Sequence, residues 1–174
     1  MGALEGKTAL VTGASKGIGR AIAIAMAVAG ARVAVTSRSL SSVEELSSEC
    51  GECMLPLVLD VGDEASCTEA VHSVLEEFGH LDVLVNNAGV AESAKFLETD
   101  TAMWHRVLNV NLDGPFWMTR AALPGMLERS SGRVIFIGSV ASRIGLAYAA
   151  PSPPPSMDSW ASLGLWQTSI HGAG

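Results

Sequence analysis

A glycine-rich turn between an apolar run and a helix-like run most constrains how this chain can fold. The turn, residues 12–19, has the sequence TGASKGIG; residues 8–11 before it predict a buried strand, and residues 21–27 after it predict a helix. Glycine permits a positive φ in the turn and lets a pyrophosphate reach bare backbone N–H groups, at the positive end of the helix. The unit therefore predicts the phosphate-binding corner of a dinucleotide-binding sheet. A glycine turn that binds no ligand is the alternative at this point.

Composition and charge exclude several classes of protein. A chain of 174 residues that is 48% hydrophobic is long enough for one domain with a core. The net charge of −7 argues against nucleic acid as a partner. No apolar run reaches the roughly 18 residues of a membrane span, and residues 1–7 lack the apolar segment of a signal peptide. We therefore expect a cytoplasmic protein without a membrane or nucleic-acid partner.

The cysteines offer a second, weaker motif. Cys50 and Cys53 have the C-x-x-C spacing of a metal knuckle or a redox pair, and Cys67 stands apart. The sequence contains no second pair, and its four histidines are scattered. Free thiols near a helix–strand junction are therefore favoured over a metal or a redox function, and no metal site is predicted.

Apolar strand-like segments alternate with helix-like segments up to about residue 150. The predicted strands are 8–11, 31–36, 54–59, 81–86 and 133–137. The predicted helices after the first are 41–50, a helix capped by Asp63 that ends near Phe78, and a region from 101 to 129 that Pro115 and Pro124 bend or split. This alternation predicts an α/β fold, a Rossmann-like doubly wound parallel sheet of five strands in the order 3-2-1-4-5.

Polar residues and glycines follow the predicted strands. Because the carboxyl ends of parallel strands meet at one edge of the sheet, these residues are expected to form the ligand-binding edge. They are Gly13, Ser37, Arg38, Asp60, Val61, Asn86, Asn87, Ala88, Gly89 and Ser139.

The character of the sequence changes after Ala150. Residues 151–156 read PSPPPS, and Asp158 is the one charged residue from there to the end. Proline excludes a helix in this stretch and disfavours a strand. We therefore predict an incomplete nucleotide-binding domain over 1–150 and an unpacked tail over 151–174. The fifth strand would then be an apolar edge that favours aggregation.

Residues 6–150 resemble the N-terminal part of the classical short-chain dehydrogenase/reductase family. The matching motifs, in order, are TGASKGIG at 12–19, Asp60-Val61, NNAG at 86–89, Asn109-Val110-Asn111 and Ser139. The resemblance implies that Asp60 and Val61 lie beside the adenine, and that Asn87, Ala88 and Gly89 form the floor of the cofactor site. The implied residues at the pyrophosphate turn are Gly13, Ser15, Lys16, Gly17, Ile18 and Gly19.

The end of the second predicted strand bears on the choice of nicotinamide cofactor. An acidic residue there would bond the ribose 2′-hydroxyl of NAD and repel a 2′-phosphate. This chain has Thr36-Ser37-Arg38 instead, and Arg38 can form a forked contact with phosphate. Lys16 adds a second positive charge. We therefore expect NADP(H) in preference to NAD(H), the alternative being that Arg38 is a solvated loop cation.

The resemblance also implies a reaction, hydride transfer between the nicotinamide and a carbonyl or alcohol carbon of a small molecule. Its catalytic residues are an asparagine that fixes a water, a serine that polarises the substrate oxygen, and a Tyr-x-x-x-Lys pair. Asn111 and Ser139 fill the first two positions, with Ser142 as the competing serine. The Tyr-x-x-x-Lys pair is expected near position 152, where the chain has SPPPS. The nearby Tyr148 does not complete the motif, because the residue four positions later is Ser152, not lysine.

Without that pair, we predict that this chain is inactive. The competing hypothesis is a non-catalytic truncated isoform that binds nucleotide or a full-length partner. Full-length members of the family are usually homodimers or homotetramers, and such assembly is doubtful for this chain.

A one-base shift of the reading frame accounts for the tail. In the shifted frame Met157-Asp158 and Trp160-Ala161 must each give glycine, and permitted codons give tyrosine, three residues and then lysine from position 152. The tail is therefore interpreted as the product of a frameshift or an alternative splice junction.

Overall fold

The computed structural model describes residues 2–92 and 94–138 and the backbone of Thr168–His171. The strands are β1 (Thr8–Val11), β2 (Arg32–Ser37), β3 (Met54–Val58), β4 (Val83–Asn86), β5 (Ser131–Phe136) and β6 (Thr168–His171). The helices are α1 (Gly17–Val28), α2 (Ser41–Cys50), α3 (Glu64–Phe78), α4 (Thr101–Leu108) and α5 (Gly114–Glu128). Short 3₁₀ turns cover Gly51–Cys53 and Phe96–Glu98, and Asn109–Asp113 is π-helical.

The sheet has the order β3-β2-β1-β4-β5-β6, and its first five strands are parallel. The predicted order 3-2-1-4-5 is therefore confirmed. Strand β6 pairs antiparallel with β5, from Ser131 opposite His171 to Val134 opposite Thr168. The sequence predicts no packed structure in 151–174, so this strand departs from the expectation. It covers part of the β5 edge that was expected to be open.

Side chains alternate along the strands and pack on opposite faces of the sheet. Leu10 and Leu84 face the layer formed by α3 and α5. Val11, Val33 and Val85 face the layer that contains α1 and α2. Burial on both faces explains why the strands read as continuous apolar runs rather than as alternating patterns.

The predicted helical region 101–129 is divided in two by the π-helical segment. Pro115 is the second residue of α5, directly after that segment, and it has no N–H to offer the carbonyl of Asn111 four residues earlier. The missing N–H of Pro115 agrees with the prediction that this proline bends or splits the helical region. Pro124, by contrast, lies inside α5 and does not end it. In the part of the chain that the structure describes, no helix is long and apolar enough to cross a membrane.

Candidate nucleotide-binding site

The glycine turn leaves the carboxyl end of β1 and enters α1. Gly13 and Gly17 have φ values of +64° and +59°, which side chains rarely adopt. A Cβ on Gly19 would lie 2.3 Å from Nδ2 of Asn87 and 2.5 Å from the carbonyl oxygen of Gly13. Two of these glycines thus supply backbone conformation, and the third allows close approach to the neighbouring strand.

The hydroxyl of Thr12 joins this turn to the end of β4. Thr12 is 1% exposed, and its Oγ1 accepts hydrogen bonds from the backbone N–H groups of Asn87 and Ala88, each at 2.9 Å. The same hydroxyl donates to the carbonyl of Val85 at 3.3 Å. This role of Thr12 could not be predicted, because a threonine before a turn carries no sign of a partner 75 residues away in the sequence.

Asn87 makes a second connection between the two strand ends. Its Nδ2 donates to the carbonyl oxygens of Thr12 at 2.9 Å and Gly13 at 3.1 Å. On the other side, the N–H of Ala14 donates to the carbonyl of Thr36 at 2.8 Å. The turn is therefore fastened to β4 and β2, and its glycines are held in one arrangement.

The start of α1 is open to an anion. Lys16 occupies the N-cap position without a side-chain capping bond, and the first turn of α1 contains no acidic residue. Lys16, Ile18 and Arg38 are exposed, and Ser15 and Ser37 are half-buried. Within the described residues, neither Lys16 nor Arg38 has a side-chain hydrogen bond or ion pair. Uncapped N–H groups and free positive charge favour phosphate at this corner.

The residues after β3 form a turn at the same edge. Asp60 is exposed, and its Oδ1 accepts from the N–H of Gly62 at 2.9 Å. Val61 is 7% exposed. Asn109 reaches this turn from the π-helical segment, its Nδ2 donating to the carbonyl of Gly62 at 2.8 Å. The segment that carries the predicted Asn111 is thereby fixed to the edge of the sheet.

Both polar groups of the Asn111 side chain form hydrogen bonds with the segment that follows β4. Its Oδ1 accepts from the N–H of Val90 at 2.8 Å, and its Nδ2 donates to the carbonyl of Val90 at 2.9 Å. Close by, Arg106 donates to the carboxylate of Glu92 at 2.9 and 3.3 Å, which lowers the pKa of Glu92. The side chain of Asn111 thus holds the backbone next to Gly89, a contact that no pattern in the sequence indicates.

Ser139, its competitor Ser142 and Tyr148 lie outside the described residues. The three cysteines are free thiols, as predicted. Burial raises the pKa of the Cys67 thiol to about 11, and the charge of the nearby Asp63 carboxylate is the second cause of this increase. In the described part of the chain, no group of three or more His, Cys, Asp or Glu side chains is placed to hold a metal ion.

The fold and the corner together define an open α/β sheet of the dinucleotide-binding class. The chain belongs to the short chain dehydrogenase family, whose sequence profile matches residues 7–151. It is therefore a member of an oxidoreductase family, and the predicted resemblance is confirmed.

Relatives agree in sequence and in structure. The chain is 39% identical over 141 residues to the 3-oxoacyl-(acyl-carrier-protein) reductase FabG of Escherichia coli K12, covering 81% of this chain and 58% of that protein. It is 42% identical over 159 residues to a short chain dehydrogenase of Pseudocercospora fijiensis, covering 86% of this chain and 51% of that protein. A short-chain dehydrogenase structure from Streptomyces avermitilis matches with a TM-score of 0.82 at 35% identity, covering 91% of this chain and 57% of that one. The chain thus spans little more than half the length of these relatives.

Proposed function

We propose that the whole protein is an NADP(H)-dependent oxidoreductase that transfers hydride between the nicotinamide and a carbonyl or alcohol carbon of a small molecule. The observation that carries this proposal is the corner formed by residues 12–19, where an uncapped helix start meets exposed Lys16 and Arg38. The positive φ of Gly13 and Gly17, and the open space where a Cβ of Gly17 would lie, leave bare backbone that a pyrophosphate can approach.

The preference for NADP(H) rests on the charge at the end of β2. Thr36 is buried, Ser37 ends the strand, and Arg38, which follows it, is exposed. A guanidinium in this position can meet a 2′-phosphate with two parallel hydrogen bonds. We propose Lys16 and Arg38 as its two positive neighbours, with Asp60 and Val61 beside the adenine.

Mutation of Arg38 tests the cofactor proposal. Arg38→Gln is expected to weaken NADPH binding about ten- to a hundredfold, because a charge-assisted contact contributes roughly 1.5–3 kcal/mol, and to leave NADH binding unchanged. Arg38→Asp is expected to reverse the preference, since its carboxylate repels phosphate and accepts from a ribose hydroxyl.

Arg32→Gln is the matched control for the loss of charge. Arg32 begins β2 at the opposite end of the strand, where it pairs with Glu77. NADPH and NADH fluorescence titrations of the three variants give the answer. An Arg38 variant that binds both nucleotides like the wild type would place this side chain outside the phosphate site.

Of the residues proposed for catalysis, Asn111 lies in the part of the chain that the structure describes, and Ser139 lies outside it. When bound, the nicotinamide supplies or accepts the hydride. We propose that the side chain of Asn111 holds Val90, and with it the floor at Ala88 and Gly89, and that Asn111 fixes the water of the proton relay. Ser139 is proposed to orient the substrate oxygen.

The chain as written is proposed to bind NADP(H) without turning substrate over. Reduction of a carbonyl builds negative charge on oxygen, and a proton must reach it. An alcohol such as that of Ser139 is too weak an acid to supply the proton alone, and loss of general acid–base catalysis removes about 10²- to 10⁴-fold in rate. The nucleotide corner does not depend on the missing pair, which also supports the second candidate, a non-catalytic isoform that binds nucleotide or a full-length partner.

A further inference from the structure

Two of the three cysteines lie one turn apart at the end of the sheet opposite to the nucleotide corner. Cys50 is the last residue of α2, and Cys53 ends the 3₁₀ turn Gly51–Cys53 that leads directly into β3. Gly51 has a φ of +75°, which lets the chain change direction between the two thiols. Both thiols are free.

The turn points the second thiol back at the first residue. Sγ of Cys53 donates to the carbonyl oxygen of Cys50 at 3.1 Å. The Cα atoms of residues three apart in a hydrogen-bonded turn lie within about 7 Å, and disulfides span Cα separations of about 4.4–6.8 Å. The turn therefore keeps the two Cα atoms close to the separation that a disulfide requires.

Solvent reaches this pair but not the third cysteine. Cys50 and Cys53 are half-buried, and Gly51 and Glu52 between them are exposed. Cys67 is 0% exposed among the core side chains of α3. A small reagent can therefore approach the pair while Cys67 stays protected.

We propose that Cys50 and Cys53 form a dithiol site that closes reversibly into an intramolecular disulfide by exchange with a small-molecule disulfide. One protein thiolate attacks a sulfur of the small disulfide, giving a mixed disulfide and releasing one small thiol. The second protein thiolate then attacks the protein-bound sulfur, forming the Cys50–Cys53 bond and releasing the second small thiol. The protein loses two electrons and two protons, and the small disulfide gains them.

The surroundings of the pair set its reactivity. Burial, then Cys53 and Glu49, raise the pKa of the Cys50 thiol, and Arg20 of α1 opposes them. Since the thiolate is the nucleophile, a raised pKa keeps exchange slow at neutral pH. The site is therefore a slow, stable dithiol that reacts faster as the pH rises. It does not depend on the proposed oxidoreductase function.

The test uses the whole chain, reduced, freed of reductant and incubated with oxidised glutathione at mildly alkaline pH. On intact-mass analysis we expect a product that is lighter by two hydrogen atoms and carries no glutathione. Peptide mapping should show a disulfide between Cys50 and Cys53. Dithiothreitol should reverse the change. Cys67 is the internal control, because its failure to react shows that the chain stayed folded.

Two variants separate closure from simple modification. Cys50→Ser and Cys53→Ser each retain one thiol of the pair, so each is expected to keep a stable glutathione adduct that the wild type resolves. A wild-type chain that accumulates glutathione adducts without closing, or that keeps three free thiols, would overturn the proposal.

Discussion

Replacing Thr12 by valine tests the connection between β1 and β4 on which the nucleotide corner depends. Valine has the shape of threonine but removes the oxygen that accepts from the N–H groups of Asn87 and Ala88. An unsatisfied buried N–H costs about 1–3 kcal/mol, and we take the lower half of that range because both residues are half-buried. Thr12→Val should therefore lower the free energy of unfolding by about 2–4 kcal/mol, a large share of the roughly 5–15 kcal/mol that folded domains possess.

Thr12→Ser is the matched control, since it keeps the hydroxyl and loses one methyl group, worth about 1 kcal/mol. Urea unfolding followed by tryptophan fluorescence measures both variants, and NADPH titration measures the effect on the corner. We expect Thr12→Val to lose more stability than Thr12→Ser and to weaken NADPH binding. A valine variant as stable as the serine variant would refute the idea that this hydroxyl organises the two strand ends.

Two further predictions concern a glycine and a buried thiol. Gly19→Ala should abolish nucleotide binding, because its methyl would lie 2.3 Å from an asparagine amide nitrogen, whereas Gly125→Ala meets only an arginine nitrogen at 3.6 Å and should bind normally; equal binding by both, measured by NADPH titration, would contradict the packing argument. The raised pKa of Cys67, about 11 against an ordinary 9.0, contributes stability that is fully present below pH 9 and is lost as the pH rises through 11. Urea unfolding across this range should show that decline in the wild type and a shallower one in Cys67→Ala, and parallel declines would exclude Cys67 as its cause.

Local patterns were sufficient to predict the sheet. Each strand is short, apolar and separated by a helix, so the order of the first five strands follows from the handedness of their connections. The turn at residues 12–19 and the cap at Asp63, which accepts from the N–H of Ala65 at 3.2 Å, also depend on neighbours in sequence. These features could be predicted from the sequence because the interactions that create them are local.

Contacts between residues far apart in the sequence could not be predicted. Asn109 bonds the carbonyl of Gly62, and Asn111 bonds both polar groups of Val90. An asparagine side chain has the same donors and acceptor wherever it points, so its partners depend on the tertiary structure. Strand β6 was missed for a different reason: Thr168–His171 has no strong strand pattern, and its pairing with β5 is a long-range backbone interaction.

Titration of the purified 174-residue chain with NADPH, followed in the same samples by a test for NADPH oxidation with a panel of carbonyl compounds, is the most direct test of the account. A chain from a gene repaired by one base near codon 152 provides the comparison. We predict saturable NADPH binding by both chains and oxidation by the repaired chain alone. No binding by the folded 174-residue chain, or turnover by it within tenfold of the repaired chain, would contradict the account.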